Sequence, residues 1–140
     1  DLGVEPYLVA SALKAVVTQR LVRRLCPNCR RRLTPEAAFL EEIGFPKAIP
    51  EDAGIYGPAA CETCRKTGFT GRCGIFEILP VSEAVRSLVT ARAATSEVRR
   101  QALQDGMHTL REDGWTKVLQ GITSIEEVLR ATEEEDEATS

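Results

Sequence analysis

Aromatic residues make up only 5% of this 140-residue chain, so any core it buries must be aliphatic. There is one histidine, His108, in a corner between two helical patterns, where packing or capping suits it better than catalysis. No Gly-rich phosphate loop, Ser/His/Asp set or HExxH pattern occurs. No apolar run approaches the roughly 20 residues that a membrane-spanning helix needs. A charged, then apolar, then small-residue leader is also missing, so nothing indicates secretion. The first residue is Asp1 rather than a methionine, and the chain reads as a cytosolic piece of something longer.

What is present is an ordinary globular composition, 43% hydrophobic and 28% charged. A chain of this length buries a core without help from metal. The net charge is −3, and the run Glu133–Glu137 alone carries −5, which leaves +2 for the rest. That run has no apolar residue to bury, so disorder is the expectation for 133–140. The opposite cluster is Arg20, Arg23, Arg24, Arg30, Arg31 and Arg32, with no acid among positions 20–32. It offers a nucleic-acid patch as one reading. The lack of neighbouring aromatics to stack on bases favours a solvated face or a protein contact instead.

Residues 6–25 carry apolar positions at helical spacing, with Val9, Leu13, Val17 and Leu21 on neighbouring faces, which predicts a deeply packed helix stopped by Pro27. A short helix is expected over 34–43, with Thr34 as N-cap and Pro35 in the first turn. Residues 44–60 are rich in Gly and Pro and read as loop with at most short extended pieces and few apolar anchors. Gly74–Leu79 is a β-prone run closed by Pro80. Four short helices follow, starting near Ser82, Ser96, Thr109 and Ser124. The pairs Thr109/Glu112 and Ser124/Glu127 have capping-box spacing. Trp115 falls at a core position.

Two CxxC knuckles stand out, Cys26-Pro27-Asn28-Cys29 and Cys61-Glu62-Thr63-Cys64. Two residues between cysteines let both sulfurs face one ion, and zinc prefers four thiolates in a tetrahedron. Thirty-one residues separate the knuckles, more than the usual zinc-ribbon gap of about 15–20. Loop closure grows so slowly with length that a structural zinc still prevails. Disulfides are the alternative for an exported chain, and a redox pair is the alternative for a CxxC that opens a helix directly after a strand. Neither context is evident here. Cys73, the fifth cysteine, reads as a small buried hydrophobe rather than a ligand.

Gln19–Cys26 with the second knuckle, Thr67–Leu79 (against a Gly-Tyr-x-Gly-Arg-x-Gly-Ile-x-Glu-x-Leu stretch), Val81–Val89, Gly106–Gly114 and Gly121–Val128 together resemble the C-terminal part of the type II secretion and type IV pilus assembly ATPases. The resemblance implies an α/β fragment, mainly α. Its expected parts are the last helix of a RecA-like ATPase core (1–25), an inserted tetracysteine zinc module (26–72), a returning core strand (73–81) and a C-terminal helical subdomain (82–132). An acidic tail (133–140) follows. The parent would be a hexameric traction ATPase, cytoplasmic and peripheral to the inner membrane, driving pilus or pseudopilus assembly with ATP and Mg²⁺. Its partners would be the other subunits and the inner-membrane platform proteins, with no nucleic acid and no membrane span. The phosphate-binding motifs are absent from these 140 residues, so the fragment alone is expected to be inactive. Cys26, Cys29, Cys61 and Cys64 are the metal candidates. Arg72 and Arg86 are candidates for a subunit interface. A zinc-stabilised nucleic-acid module built on Arg20–Arg32 is the alternative function.

Overall fold

The computed structural model describes residues 3–133 and is a small α/β structure. In chain order the elements are α1 (Pro6–Ala12), β1 (Ala15–Leu25), β2 (Arg31–Leu33), α2 (Ala37–Glu42), β3 (Ile55–Gly57) and β4 (Phe69–Pro80). Four helices follow: α3 (Glu83–Thr90), α4 (Thr95–Gln104), α5 (Leu110–Leu119) and α6 (Ile125–Ala131). β1 pairs with β4, and β2 pairs antiparallel with β3 so that Arg32 faces Tyr56. Lys14 C=O accepts from Val81 N–H at one end of the β1–β4 ribbon, and Gly68 C=O accepts from Cys26 N–H at the other. The ribbon is therefore antiparallel.

The helix expected over 6–25 is the largest correction. It ends at Ala12, where Leu13 turns extended (φ −73°, ψ 133°), and 15–25 is a strand. Val16, Val17, Thr18 and Val22 are β-branched, which stiffens χ1 and suits a pleated surface. An apolar run spread over all faces is also ambiguous between the two periods. Nor is the segment deeply packed: Val16, Val17 and Leu21 are exposed, and only Val22 and Leu25 are buried within β1.

Smaller differences follow the same logic. α2 starts at Ala37, two residues beyond the expected Pro35, with Glu36 at its N-cap and no side-chain cap. The expected strand 74–79 is longer, so the module boundary placed at 72/73 falls inside β4. Ser82 does cap α3, its hydroxyl accepting from Val85 N–H. Of the predicted tail, only Glu133 lies within the described residues.

The described residues divide into two compact units, residues 3–18 with 76–109 and residues 19–75 with 110–133. The four helices expected as one subdomain are thus split, α3 and α4 going to the first unit and α5 and α6 to the second. In the first unit α1 and α4 both pack on α3, with Ala10, Val85, Ala102 and Met107 buried. Ser82 Oγ donates to Asp105 Oδ2 (2.7 Å), joining the start of α3 to the end of α4. In the second unit Phe45, Ile55, Trp115, Val118, Ile125 and Val128 form the main core. Phe45 and Trp115 meet with ring centroids 5.1 Å apart. The loop read as poor in apolar anchors therefore supplies two of them, Phe45 and Ile55. A smaller cluster of Val22, Ile75 and Leu110 has Cys73 packed against it, although Cys73 is only half-buried rather than buried as expected.

Candidate metal centre

The two knuckles fold by local backbone hydrogen bonds. Cys26 C=O accepts from the N–H groups of Cys29 (3.4 Å) and Arg30 (3.0 Å), which turns the chain and brings Cys29 back beside Cys26. In the second knuckle Cys61 C=O accepts from Lys66 N–H (2.8 Å), while Arg65 and Lys66 take left-handed φ values of 54° and 63°. That curl aims Gly68 N–H at Cys64 Sγ, 3.2 Å away. Position 68 has φ +83°, and a Cβ there would lie 2.7 Å from Ala59 C=O, so glycine is required on two counts.

The four sulfurs converge. Cys26–Cys61 and Cys29–Cys64 are each 3.8 Å apart and Cys61–Cys64 is 3.6 Å, and the whole set lies within 4.8 Å. A tetrahedron with metal–sulfur bonds of about 2.3 Å has edges of about 3.8 Å. The set therefore has the size of a four-thiolate site that leaves no position open for water or substrate. Asn28 Nδ2 donates to Cys61 Sγ at 3.4 Å, adding a second N–H to sulfur contact. Neither Asn28 nor Gly68 is among the residues singled out from sequence, although Asn28 lies inside its knuckle.

Charge is distributed unevenly over these thiols. The Asn28 amide, followed by the backbone of Cys64, draws Cys61 down to about 6. Burial, then hydrogen bonds to the other sulfurs, pushes Cys29 up to about 12. Cys64 is pushed up by burial but ends below its ordinary value, because backbone hydrogen bonds from Cys61 and Gly68 outweigh that. A dication bound by such a set would displace whatever protons its thiols still carried.

Arg23, Arg30 and Arg32 of the arginine cluster are engaged inside the second unit. Arg23 donates to Glu127 and lies over the Phe69 ring, 4.1 Å from its centroid. Arg30 lies 4.4 Å over Tyr56 and donates through Nη1 to Gly121 C=O, anchoring the first knuckle to the α5–α6 turn. Arg32 donates to Ala53 C=O (3.1 Å). The aromatics missing from the local sequence are supplied in space, with Arg23 and Arg30 stacked on them.

Of the two interface candidates, Arg72 is exposed on β4 and makes no hydrogen bond or ion pair among the described residues. Arg86 on α3 is engaged, with Nε donating to Ala10 C=O (2.7 Å) and Nη1 meeting Glu83 Oε1 (2.7 Å). His108 is exposed. No helix among the described residues is long and apolar enough to cross a membrane.

A family model for type II/IV secretion system proteins matches residues 1–130. The chain is 42% identical to a type IV pilus assembly ATPase of Thermus thermophilus over 94% of its own length and 15% of that protein's. It is 41% identical to a type II secretion system protein E of Aeromonas hydrophila, covering 96% of this chain and 26% of the relative. The corresponding ATPase of Vibrio cholerae is 38% identical over 96% of this chain and 26% of the relative. The chain thus spans roughly a seventh to a quarter of the relatives it matches. With a match over nearly its whole length, the chain belongs to the type II/IV secretion system protein family.

Proposed function

We propose that this chain is the zinc-carrying C-terminal portion of a hexameric traction ATPase that powers pilus or pseudopilus assembly at the inner membrane. The carrying observation is four sulfurs at tetrahedral spacing in a chain with relatives named as a type II secretion system ATPase and a type IV pilus assembly ATPase. Zinc is the ion that a closed four-thiolate set suits best, and its role here is structural. The zinc ties residues 27–60 to the second unit. ATP and Mg²⁺ belong to the whole enzyme, whose nucleotide-binding motifs lie outside these 140 residues. The chain itself positions rather than catalyses.

The β1–β4 ribbon is read as part of the RecA-like core. Val16, Val17, Phe76 and Ile78, all in the first unit, are exposed apolar side chains on it, of the kind that packing within a larger core would cover. Arg72, exposed on the same ribbon, is assigned to the contact with a neighbouring subunit. Arg86 has its donors occupied within the first unit, which gives it a positioning role for α1. The other subunits and the inner-membrane platform are the partners, and the whole protein is cytoplasmic and membrane-peripheral.

The test is made in the whole enzyme. Cys61→Ser in the full-length protein should abolish bound zinc and lower both hexamer formation and ATP hydrolysis, while the 140-residue chain alone releases no phosphate. A zinc-free variant that assembles and hydrolyses ATP like its parent would refute the structural role.

A further inference from the structure

On the second unit, two cavities adjoin beside the β2–β3 pair and α6. One, of about 280 Å³, is lined by Leu33, Phe39, Ile55, Tyr56 and Ile125 with Glu126 at its rim. Its neighbour, of about 310 Å³, is lined by Arg23, Arg31 and Arg130 together with Phe69, Glu126 and Glu127. Leu33 and Glu126 belong to both, so the two form one groove with an apolar seat and a cationic seat. None of the four clustered cysteines lines either seat.

The cationic seat has charge to spare. Its three guanidinium groups face two carboxylates, an excess of one positive charge. Glu127 is saturated by Arg23 and Arg130, both of which touch its Oε1 (2.7 and 2.9 Å). Arg31 is exposed and its guanidinium makes no hydrogen bond or ion pair among the described residues. Its planar fork is the donor set best suited to a carboxylate. In the apolar seat Phe39 keeps 40% of its surface in water while Ile55 and Ile125 form the floor. Aromatic residues and arginine are both enriched in protein interfaces, and the groove exposes one of each, Phe39 in one seat and Arg31 in the other.

We propose that this groove docks an acidic peptide segment of a partner protein, with an apolar side chain in the Leu33–Phe39–Ile55 seat and a carboxylate on Arg31. Charge complementarity selects the occupant: the lining carries one net positive charge and an unpaired Arg31 side chain, and an adjacent apolar floor suits a side chain rather than a bare polyanion. Each seat has the size of one or two side chains, so recognition is by a short motif. This inference concerns a docking surface and does not depend on the ATPase reading.

The experiment uses the full chain and a fluorescein-labelled peptide that alternates glutamate with leucine, read by fluorescence anisotropy. Controls are the same peptide with lysine for glutamate and with alanine for leucine. The acidic leucine peptide should bind, weaken as ionic strength rises, and lose roughly tenfold or more in affinity with Arg31→Glu and with Phe39→Asp. Both positions are exposed, and unchanged Trp115 fluorescence will show that the variants remain folded. Three results would overturn the proposal. One is equal binding to Arg31→Glu. Another is equal binding of the alanine control, which would mean a non-specific polyanion surface. The last is binding that appears only after residues 134–140 are removed, which would make the chain's own acidic segment the occupant.

Discussion

Glu127 on α6 accepts three hydrogen bonds from Arg23 on β1, one from its backbone N–H (2.9 Å) and two from its guanidinium (3.0 and 2.7 Å). Half of the capping box expected at Ser124 is present, since Ser124 Oγ accepts from Glu127 N–H. The glutamate does not return that bond as the motif would have it, because its carboxylate is committed to the strand 104 residues away. Thr123 Oγ1 to Arg23 C=O (2.8 Å) and Leu25 N–H to Ile122 C=O (2.8 Å) join the same two segments. β1 enters the first knuckle directly from this junction, so the metal site and α6 share a foundation.

Acid should loosen that junction. Burial alone would raise the Glu127 pKa, but the bonds from Arg23 and the nearby Arg130 outweigh it and hold the carboxyl below its ordinary value. Because folding lowers this pKa, its contribution is complete above the unfolded value of about 4.3 and disappears as pH falls through the lower folded value. Glu127→Gln should cost about 1–3 kcal/mol at neutral pH, moderated by the 45% exposure of Arg23. Urea titrations followed by Trp115 fluorescence should show that difference beginning to shrink as the pH falls below the unfolded value of about 4.3 and vanishing only below the lower folded value. A difference constant with pH would contradict the account.

Metal removal should act on one unit. Stripping the metal with a chelator, or Cys61→Ser, should lower the melting transition reported by Trp115 by about 10 °C or more. Amide exchange should quicken in β2, β3 and α6, which share the second unit with the knuckles. The amides of α3 and α4 should keep their protection. Uniform loss across both units would mean that the metal stabilises the chain in some other way.

Gly114 should not tolerate a methyl group. It lies in the middle of α5, and a Cβ there would come within 3.2 Å of Val128 Cβ and nearer still to its methyls. Alanine is the better helix former by about 1 kcal/mol, yet overpacking costs about 1–3 kcal/mol. Since Val128 is fully buried and has no room to retreat, Gly114→Ala should be net destabilising in a thermal melt.

The two interface candidates should now behave differently. Arg86→Ala should destabilise the first unit by about 1 kcal/mol, since it strands Ala10 C=O. Arg72→Ala should leave the melting temperature and metal content of this chain unchanged. If Arg72 meets a neighbouring subunit, the same change in the full-length ATPase lowers hexamer assembly and hydrolysis together. Full activity there would make it a plain surface residue.

The metal candidates were legible because CxxC spacing brings sulfurs together locally, whatever the surrounding fold. Ser82 was legible because an N-cap is also local. β1 was not, since Val16, Val17 and Leu21 stay exposed and leave no one-sided pattern to read. The Arg23–Glu127 pair was illegible for another reason: nothing near either residue in sequence signals its partner. Phe45 was hidden in a loop whose Gly and Pro content describes its backbone, while one anchoring side chain decides its burial.

The most direct measurement is native mass spectrometry of the chain purified without chelator or added metal. The account predicts a mass above that of the bare polypeptide by one zinc per chain, lost entirely in Cys61→Ser. A metal-free wild-type mass, with four reactive thiols or two disulfides in place of the ion, would contradict it.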